Sequence, residues 1–265
     1  MDFARIVSST PDYNFHSHTQ FCDGYAPMEE ILVAAIGAGM RYFGFTPHSP
    51  LPIESPCNMA AADVPAYLDE IRRLRSVYGD RIDIFAGMEV DWLGKDWGPA
   101  NPYFASIGLD YTIGSVHFIE GPDGYVDIDG RFDSFRLKMA KYFANDIRHV
   151  VTEFYRASVA MVEAGGFDIV GHLDKIGHNA SHFSPGIENE LWYRKLADGL
   201  VDAVIAGGVA VEINTKAYAG HSGRMFPSRR YVDRLKEAGV TLIVNSDVHR
   251  PELVASGRTA ALGWL

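Results

Sequence analysis

Cysteine is scarce in this chain, with only Cys22 and Cys57 among 265 residues. Two cysteines this far apart make neither a disulfide framework nor a thiolate zinc motif. Long apolar runs are also missing, because no stretch of about 18 uninterrupted apolar residues occurs. The opening MDFARIVSST lacks a basic region followed by an apolar one. We therefore expect no export signal and no membrane span, and a cytoplasmic protein.

Positive charge is in the minority. Lys and Arg number 24 against 34 Asp and Glu, which gives a formal net charge of −10. This balance disfavours nucleic acid or an anionic membrane as the main partner. Residues 1–265 contain no linker-like tract, no like-charge run and no fixed-period repeat, and 47% of the side chains are hydrophobic. We expect a single domain, and the oligomeric state stays open.

Seven apolar, β-rich runs alternate with helical segments. Most of the runs are continuously apolar, which is typical of parallel strands covered by helices. Several helical segments end at glycine just before the next strand, and this rhythm predicts an α/β fold of the βα-barrel type. The runs are YNFHS (13–17), YFGFTP (42–47), IDIFAGME (82–89), YTIGSVH (111–117), FDIVGH (167–172), VAVEIN (209–214) and TLIVNSD (241–247).

Two long, turn-rich segments follow strands, at 118–134 and 216–228. Both are predicted to be βα loops on the same rim. Loops in that position carry the active sites of barrels of this kind.

The stretch NFHSHTQFCDG contains two histidines separated by one serine. Because alternate residues of a strand share a face, His16 and His18 are expected to point the same way and Ser17 the opposite way. Alone, such a pair is more often two solvated histidines at a strand end than half of a metal site.

Nearly every predicted strand ends in a side chain that can bind a metal. Six of the ten histidines lie at such positions, and the carboxyl ends of the strands of a barrel share one rim. Imidazoles and carboxylates without thiolates suit Zn²⁺, Mn²⁺ or Fe, and so many ligands predict a centre of two or three ions, typical of phosphate-ester hydrolysis. The residues are His16, His18, His48, Glu89, His117, His172, Asp247 and His249.

Some of the residues near these positions have a second interpretation. His117 alone could be a core histidine bonded to a backbone carbonyl, and Asp23 could cap the helix that follows it. Asp91 and Asp174 could support ligands or be ordinary loop carboxylates. Of the remaining histidines, His221 is the one whose loop could overhang the site.

In sequence order, these motifs resemble the polymerase and histidinol phosphatase (PHP) superfamily. The phrases DYTIGSVHF and EINT are most similar to its monofunctional histidinol-phosphatase branch. The resemblance spans residues 14–249 and implies a distorted seven-stranded (β/α) barrel. The motifs are HSH (16–18), Asp23, TPHS (46–49), GMEVDW (87–92), IGSVHF (113–118), GHLD (171–174), EINT (212–215) and SDVH (246–249).

The resemblance also implies a three-metal centre with a defined ligand set. Many relatives have histidine where this chain has Asp23, and TDH is frequent where it has TPHS, although His48 is retained. Carried over by motif, the first ion would take His16, His18, Glu89 and Asp247, the second Glu89, His117 and His172, and the third Asp23, His48 and His249.

The activity implied by the resemblance is hydrolysis of a small phosphomonoester, with L-histidinol phosphate converted to histidinol and phosphate in histidine biosynthesis. A hydroxide held between metals would attack phosphorus, with Glu89, Asp247 and His249 as the catalytic ligands. Candidates for binding the phosphate are Lys175, Lys216 and Arg224, of which Arg224 could grip two oxygens. Two alternatives remain open: a phosphoesterase of the same type acting on nucleotides or other small phosphates, and a barrel that binds its ligand without turnover.

Overall fold

Seven parallel strands form one sheet at the centre of the fold, in which each strand pairs with the next parallel strand along the chain. The computed structural model describes residues 1–218 and 223–265. The parallel strands are β1 (Tyr13–Asn14), β2 (Tyr42–Phe45), β3 (Asp83–Asp91), β4 (Tyr111–Ser115), β7 (Ile169–Val170), β8 (Ala210–Asn214) and β9 (Leu242–Asn245). This strand count agrees with the seven runs predicted from the sequence.

Helices follow the strands around the outside, as a βα barrel requires. They are α1 (Phe3–Ser9), α2 (Met28–Gly37), α3 (Val64–Tyr78), α4 (Pro102–Ile107), α5 (Phe132–Tyr142), α6 (Ile147–Ala164), α7 (Ile176–Phe183), α8 (Leu191–Gly207), α9 (Arg229–Glu237) and α10 (Arg258–Leu262). Among the described residues, no helix is both long enough and apolar enough to cross a membrane.

The seam between β9 and β1 is closed by side-chain amides. The backbone N–H of Phe15 donates to Asn245 Oδ1 at 2.8 Å, and the backbone N–H of Ser246 donates to Asn14 Oδ1 at 2.7 Å. Two backbone hydrogen bonds, from His18 N–H to the Val248 carbonyl at 2.8 Å and from Val248 N–H to the His16 carbonyl at 3.4 Å, continue this contact toward the strand ends. The sheet is thereby closed into a distorted (β/α)7 barrel, as predicted.

The barrel interior has its own apolar cluster. Phe15, Tyr111, Ile113 and Ile243 come from strands on different sides of the barrel and are buried together. The Tyr111 hydroxyl donates to the Phe15 carbonyl at 2.6 Å and so connects opposite walls. Because these apolar side chains fill the interior of the barrel, the polar side chains of a site must lie at the rim formed by the carboxyl ends of the strands.

The segment 118–134, expected to be a loop, is partly regular. It contains an antiparallel hairpin, β5 (Phe118–Gly121) paired with β6 (Gly124–Asp127), and the first turn of α5. Ile119 and Val126 are cross-strand partners and are both buried in the core beneath α5 and α6. Their burial gives this loop a packed apolar face, which a turn-rich composition does not reveal.

Candidate metal centre

The metal-capable side chains predicted at the strand ends come together at one rim. His16 and His18 follow β1, and their Nε2 atoms lie 3.2 Å apart on the same side of the chain. Ser17 points the other way, with its hydroxyl donating to the Gly44 carbonyl at 2.8 Å. The alternation expected for His-x-His therefore continues beyond the last residue of β1.

The first group of candidate ligand atoms surrounds the two histidines that follow β1. Asp247 Oδ1 lies 3.0 Å from His18 Nε2 and 3.7 Å from His16 Nε2. Glu89 Oε2, at the end of β3, lies 3.2 Å from His16 Nε2. For a tetrahedral ion with bonds of about 2.0–2.1 Å, ligand atoms are separated by about 3.3 Å. The distances among His16 Nε2, His18 Nε2, Asp247 Oδ1 and Glu89 Oε2 are therefore compatible with one ion bound by all four residues.

The second group uses the other oxygen of the same carboxylate. Glu89 Oε1 lies 2.9 Å from His172 Nε2 and 3.5 Å from His117 Nε2. The two imidazole Nε2 atoms are 3.1 Å apart. Since the two oxygens of Glu89 face different sets of histidines, this residue has the geometry of a bridging ligand.

The third group lies nearer the opening. Asp23 Oδ1 is 3.3 Å from His249 Nε2 and 3.9 Å from His48 Nε2. It is also 3.2 Å from His18 Nδ1, so the His18 ring lies between this group and the first. Asp23 and His48 therefore belong to the same cluster as the more deeply buried ligands.

Four buried atoms at this rim have no hydrogen-bond partner within residues 1–218 and 223–265. They belong to four residues predicted to be ligands, and a buried carboxylate oxygen without a partner costs free energy. A divalent cation would satisfy all of them, and the donor set contains only nitrogen and oxygen. The residues present therefore fit a metal centre. The atoms are Asp23 Oδ1, His48 Nδ1, Glu89 Oε2 and Asp247 Oδ1.

Burial and neighbouring charges divide the histidines into two kinds. Burial lowers the pKa of His48 to about 3 and that of His249 to about 4, so both candidate ligands are neutral near pH 7. Burial also acts to lower the pKa of His16, but the surrounding carboxylates, Glu212 foremost, raise it to about 10. In the same way, Asp91 and Glu89 outweigh burial and raise the pKa of His117 to about 9.

Asp91, at the end of β3, contacts the nitrogen of the candidate ligand His117 that faces away from the centre. Its Oδ1 is 2.6 Å from His117 Nδ1, and its Oδ2 accepts a hydrogen bond from Asn58 Nδ2 at 2.9 Å. A carboxylate on the far nitrogen orients the ring so that Nε2 faces the metal. Asp174 has a different role, because its Oδ2 accepts the backbone N–H of Ser228.

Two of the predicted ligands have strained backbones. His172 has a φ of 20° and Asp247 a φ of 48°, both in the left-handed region that side chains with a Cβ disfavour. Each such residue costs of the order of 1–3 kcal/mol, and such strain clusters at functional sites. Gly171 precedes His172 because any side chain there would collide with the hydroxyl of Ser115.

Two cavities, of about 530 and 420 Å³, open onto the centre. Both are lined by Asp23, Asp129 and Lys216, so the candidate ligands lie where the cavities meet. Lys216 Nζ lies 3.0 Å from His249 Nε2, and Lys175 Nζ lies 2.7 Å from Asp129 Oδ2. Lys175 also lines the larger cavity. Two ammonium groups are therefore available near the centre.

Arg224 is oriented differently from the two lysines. Its two Nη atoms donate to the carboxylate of Glu188 at 2.9 and 2.8 Å, and it does not line either of these cavities. In this conformation Glu188 holds the guanidinium group outside the two cavities that open onto the centre. His221 lies outside the described residues.

Comparison with known proteins assigns the family. Residues 14–216, well over half of the chain, match the family described as the PHP domain. The chain belongs to the PHP domain family. A curated relative from Deinococcus radiodurans, named "Probable histidinol-phosphatase", is 28% identical over 243 residues, which cover 89% of this chain and 85% of that protein.

Solved structures related to this PHP protein have the same fold. One from Listeria monocytogenes has a TM-score of 0.83 at 19% identity and covers 94% of this chain and 99% of that one. The histidinol phosphate phosphatase from Lactococcus lactis has a TM-score of 0.71 at 22% identity and covers 96% of this chain and 94% of that one. That structure is described as a complex with zinc, L-histidinol and phosphate.

Proposed function

We propose that this PHP-family chain is a metal-dependent phosphomonoesterase that hydrolyses L-histidinol phosphate to L-histidinol and phosphate. The observation that carries the proposal is the set of four buried ligand atoms without hydrogen-bond partners in the described parts of the chain. They lie among six histidines at the carboxyl ends of the strands, where barrels of this type carry their active sites. Two to three divalent ions would satisfy them.

The substrate assignment rests on the relatives. The Deinococcus radiodurans relative carries the histidinol-phosphatase name, and the Lactococcus lactis structure is described with L-histidinol and phosphate bound. Both comparisons cover most of this chain, 89% and 96% of it.

Residues of this chain would perform three tasks in the reaction. Glu89 and Asp247 would hold the ions, which as Lewis acids polarise a phosphoryl oxygen and lower the pKa of water. Lys216, beside His249, would donate to a phosphate oxygen. Asp129 would hold the Lys175 ammonium group at the cavity wall for a second such contact.

The test compares phosphate release from L-histidinol phosphate, p-nitrophenyl phosphate and a nucleoside monophosphate by protein loaded with Mn²⁺ or Zn²⁺. We expect kcat/KM to favour L-histidinol phosphate by about 100-fold or more, which corresponds to about 2.7 kcal/mol of transition-state discrimination. Protein stripped by a chelator is the control and should be inactive until metal is restored.

The possible results separate the metal chemistry from the substrate. Comparable slow rates on all three esters would retain a metallophosphatase and refute the histidinol phosphate assignment. Faster cleavage of the nucleotide would favour the alternative phosphoesterase. Less than one bound ion per chain, with no activity restored by metal, would refute the hydrolase itself.

A further inference from the structure

Glu212, in β8, is a buried carboxylate that contacts several of the candidate ligands without being one of them. Its Oε2 is 2.8 Å from His16 Nδ1 and accepts a hydrogen bond from Asn245 Nδ2 at 3.1 Å. Its Oε1 accepts the backbone N–H of His172 at 2.7 Å and Asn214 Nδ2 at 2.8 Å. One side chain thus connects residues from four strand ends, including two predicted ligands.

Glu212 determines which nitrogen of His16 carries the proton and which nitrogen faces the candidate metal centre. Because an ionised carboxylate only accepts, His16 Nδ1 must carry the proton of that hydrogen bond. The other nitrogen, Nε2, lies 3.2 Å from Glu89 Oε2 and 3.7 Å from Asp247 Oδ1, and its lone pair would be free for an ion that these two carboxylates share. Coordination of an ion through Nε2 requires this tautomer.

Glu212 also contacts the strained ligand on β7. His172 has a φ of 20°, and its backbone N–H points at Glu212 Oε1 instead of into a strand ladder. Asn214, which donates to the same oxygen, donates as well to Asp247 Oδ2 at 3.0 Å. The carboxylate therefore contacts His16 and His172 directly and Asp247 through one amide.

We infer that Glu212 is a positioning residue for the metal centre, which selects the His16 tautomer and holds the His172 backbone. This inference rests on the metal centre proposed above and adds a residue that is not itself a ligand. Support of this kind behind a ligating histidine is typically worth about 10- to 100-fold in metal affinity.

The substitution Glu212→Gln tests the inference because it conserves shape and reverses one hydrogen-bonding role. An amide nitrogen would face two donors at either position, but the backbone N–H of His172 at Oε1 cannot become an acceptor, whereas the His16 ring at Oε2 can. The nitrogen is therefore expected at the Oε2 position, where His16 Nδ1 must accept from it. The proton of His16 would then move to Nε2 and block its lone pair.

The experiment measures zinc affinity by competition with a chelator in wild-type protein, Glu212→Gln and a control. The control is Asp168→Asn, which precedes β7 at the far end of the barrel and keeps an oxygen to accept Thr112 N–H. We expect affinity for at least one ion to fall about 10- to 100-fold in Glu212→Gln and to be unchanged in Asp168→Asn. Circular dichroism establishes that both variants are folded.

A second measurement does not depend on the variant. In proton–nitrogen correlation spectra of zinc-loaded wild-type protein, His16 should carry its proton on Nδ1 and coordinate through Nε2. A zinc-coordinated Nδ1, or a folded Glu212→Gln that binds zinc as tightly as wild type, would overturn the role of Glu212 alone. Wild-type protein that binds no metal would overturn the proposed centre and this inference together.

Discussion

Lys216 offers the most direct test of how the cavity holds a phosphate group. Its ammonium nitrogen lies 3.0 Å from His249 Nε2 and 3.4 Å from Asp247 Oδ1, at the point where the two cavities meet. A phosphate oxygen at the centre would be within reach of this group. The substitution Lys216→Met removes the charge and keeps most of the side-chain length.

The size of the expected effect follows from the exposure of the side chain. A hydrogen bond to a charged group contributes about 1.5–3 kcal/mol. Since 40% of the Lys216 side chain is exposed, solvent screens the charge and the lower end of that range applies. A loss of about 1.5 kcal/mol corresponds to a decrease of about tenfold in kcat/KM.

The assay measures kcat/KM for L-histidinol phosphate, the inhibition constant of inorganic phosphate, and bound metal. Lys216→Met should weaken phosphate inhibition and kcat/KM by about tenfold at full metal content. The matched control is Lys195→Met, which removes an exposed charge from α8 and should change neither quantity. If the inhibition constant of inorganic phosphate is the same in Lys216→Met as in wild type, Lys216 does not bind the phosphate group.

Three further predictions concern the centre and the barrel beneath it. Glu89→Gln should reduce activity to background in a folded protein, because both oxygens of that carboxylate face histidines; turnover near wild type would contradict the bridging role. Metal binding near pH 7.5 should release about three protons, because carboxylates outweigh burial and raise the pKa of His16, His18 and His117 in the metal-free protein. Calorimetry in buffers of different ionisation enthalpy counts them, and no proton release would contradict that protonation. Tyr111→Phe should lower the free energy of unfolding by about 1–2 kcal/mol through a buried hydrogen bond lost inside the barrel, and an unchanged denaturation midpoint would contradict this estimate.

The strands and the candidate ligands could be predicted because both depend on local pattern. Continuous apolar runs such as TLIVNSD indicate a buried parallel strand, and the period of two places His16 and His18 on the same side. The convergence of strand ends then follows from barrel topology. Local pattern, however, carries no information about which distant groups pair, so the hydrogen bonds from Arg224 to Glu188 could not be predicted from the sequence.

The supporting residues were harder to identify for the same reason. Glu212 lies in the motif EINT, but its partners His16, after β1, and Asn245, in β9, are brought to it only by closure of the barrel. The seam between those strands uses Asn14 and Asn245, whose side chains replace a backbone ladder. The local sequence does not distinguish either asparagine from an ordinary residue at the end of a strand. Asp129 likewise gains its role from contact with Lys175 on a later segment.

The central claim is that these strand ends bind a group of divalent ions, and anomalous diffraction from zinc-loaded crystals tests it most directly. Data above and below the zinc absorption edge should show two or three peaks between the imidazoles and carboxylates of the cluster. At least one peak should lie within about 2.0–2.2 Å of both His16 Nε2 and an oxygen of Glu89. Density free of anomalous peaks at this rim, in crystals whose zinc content is established, would contradict the account.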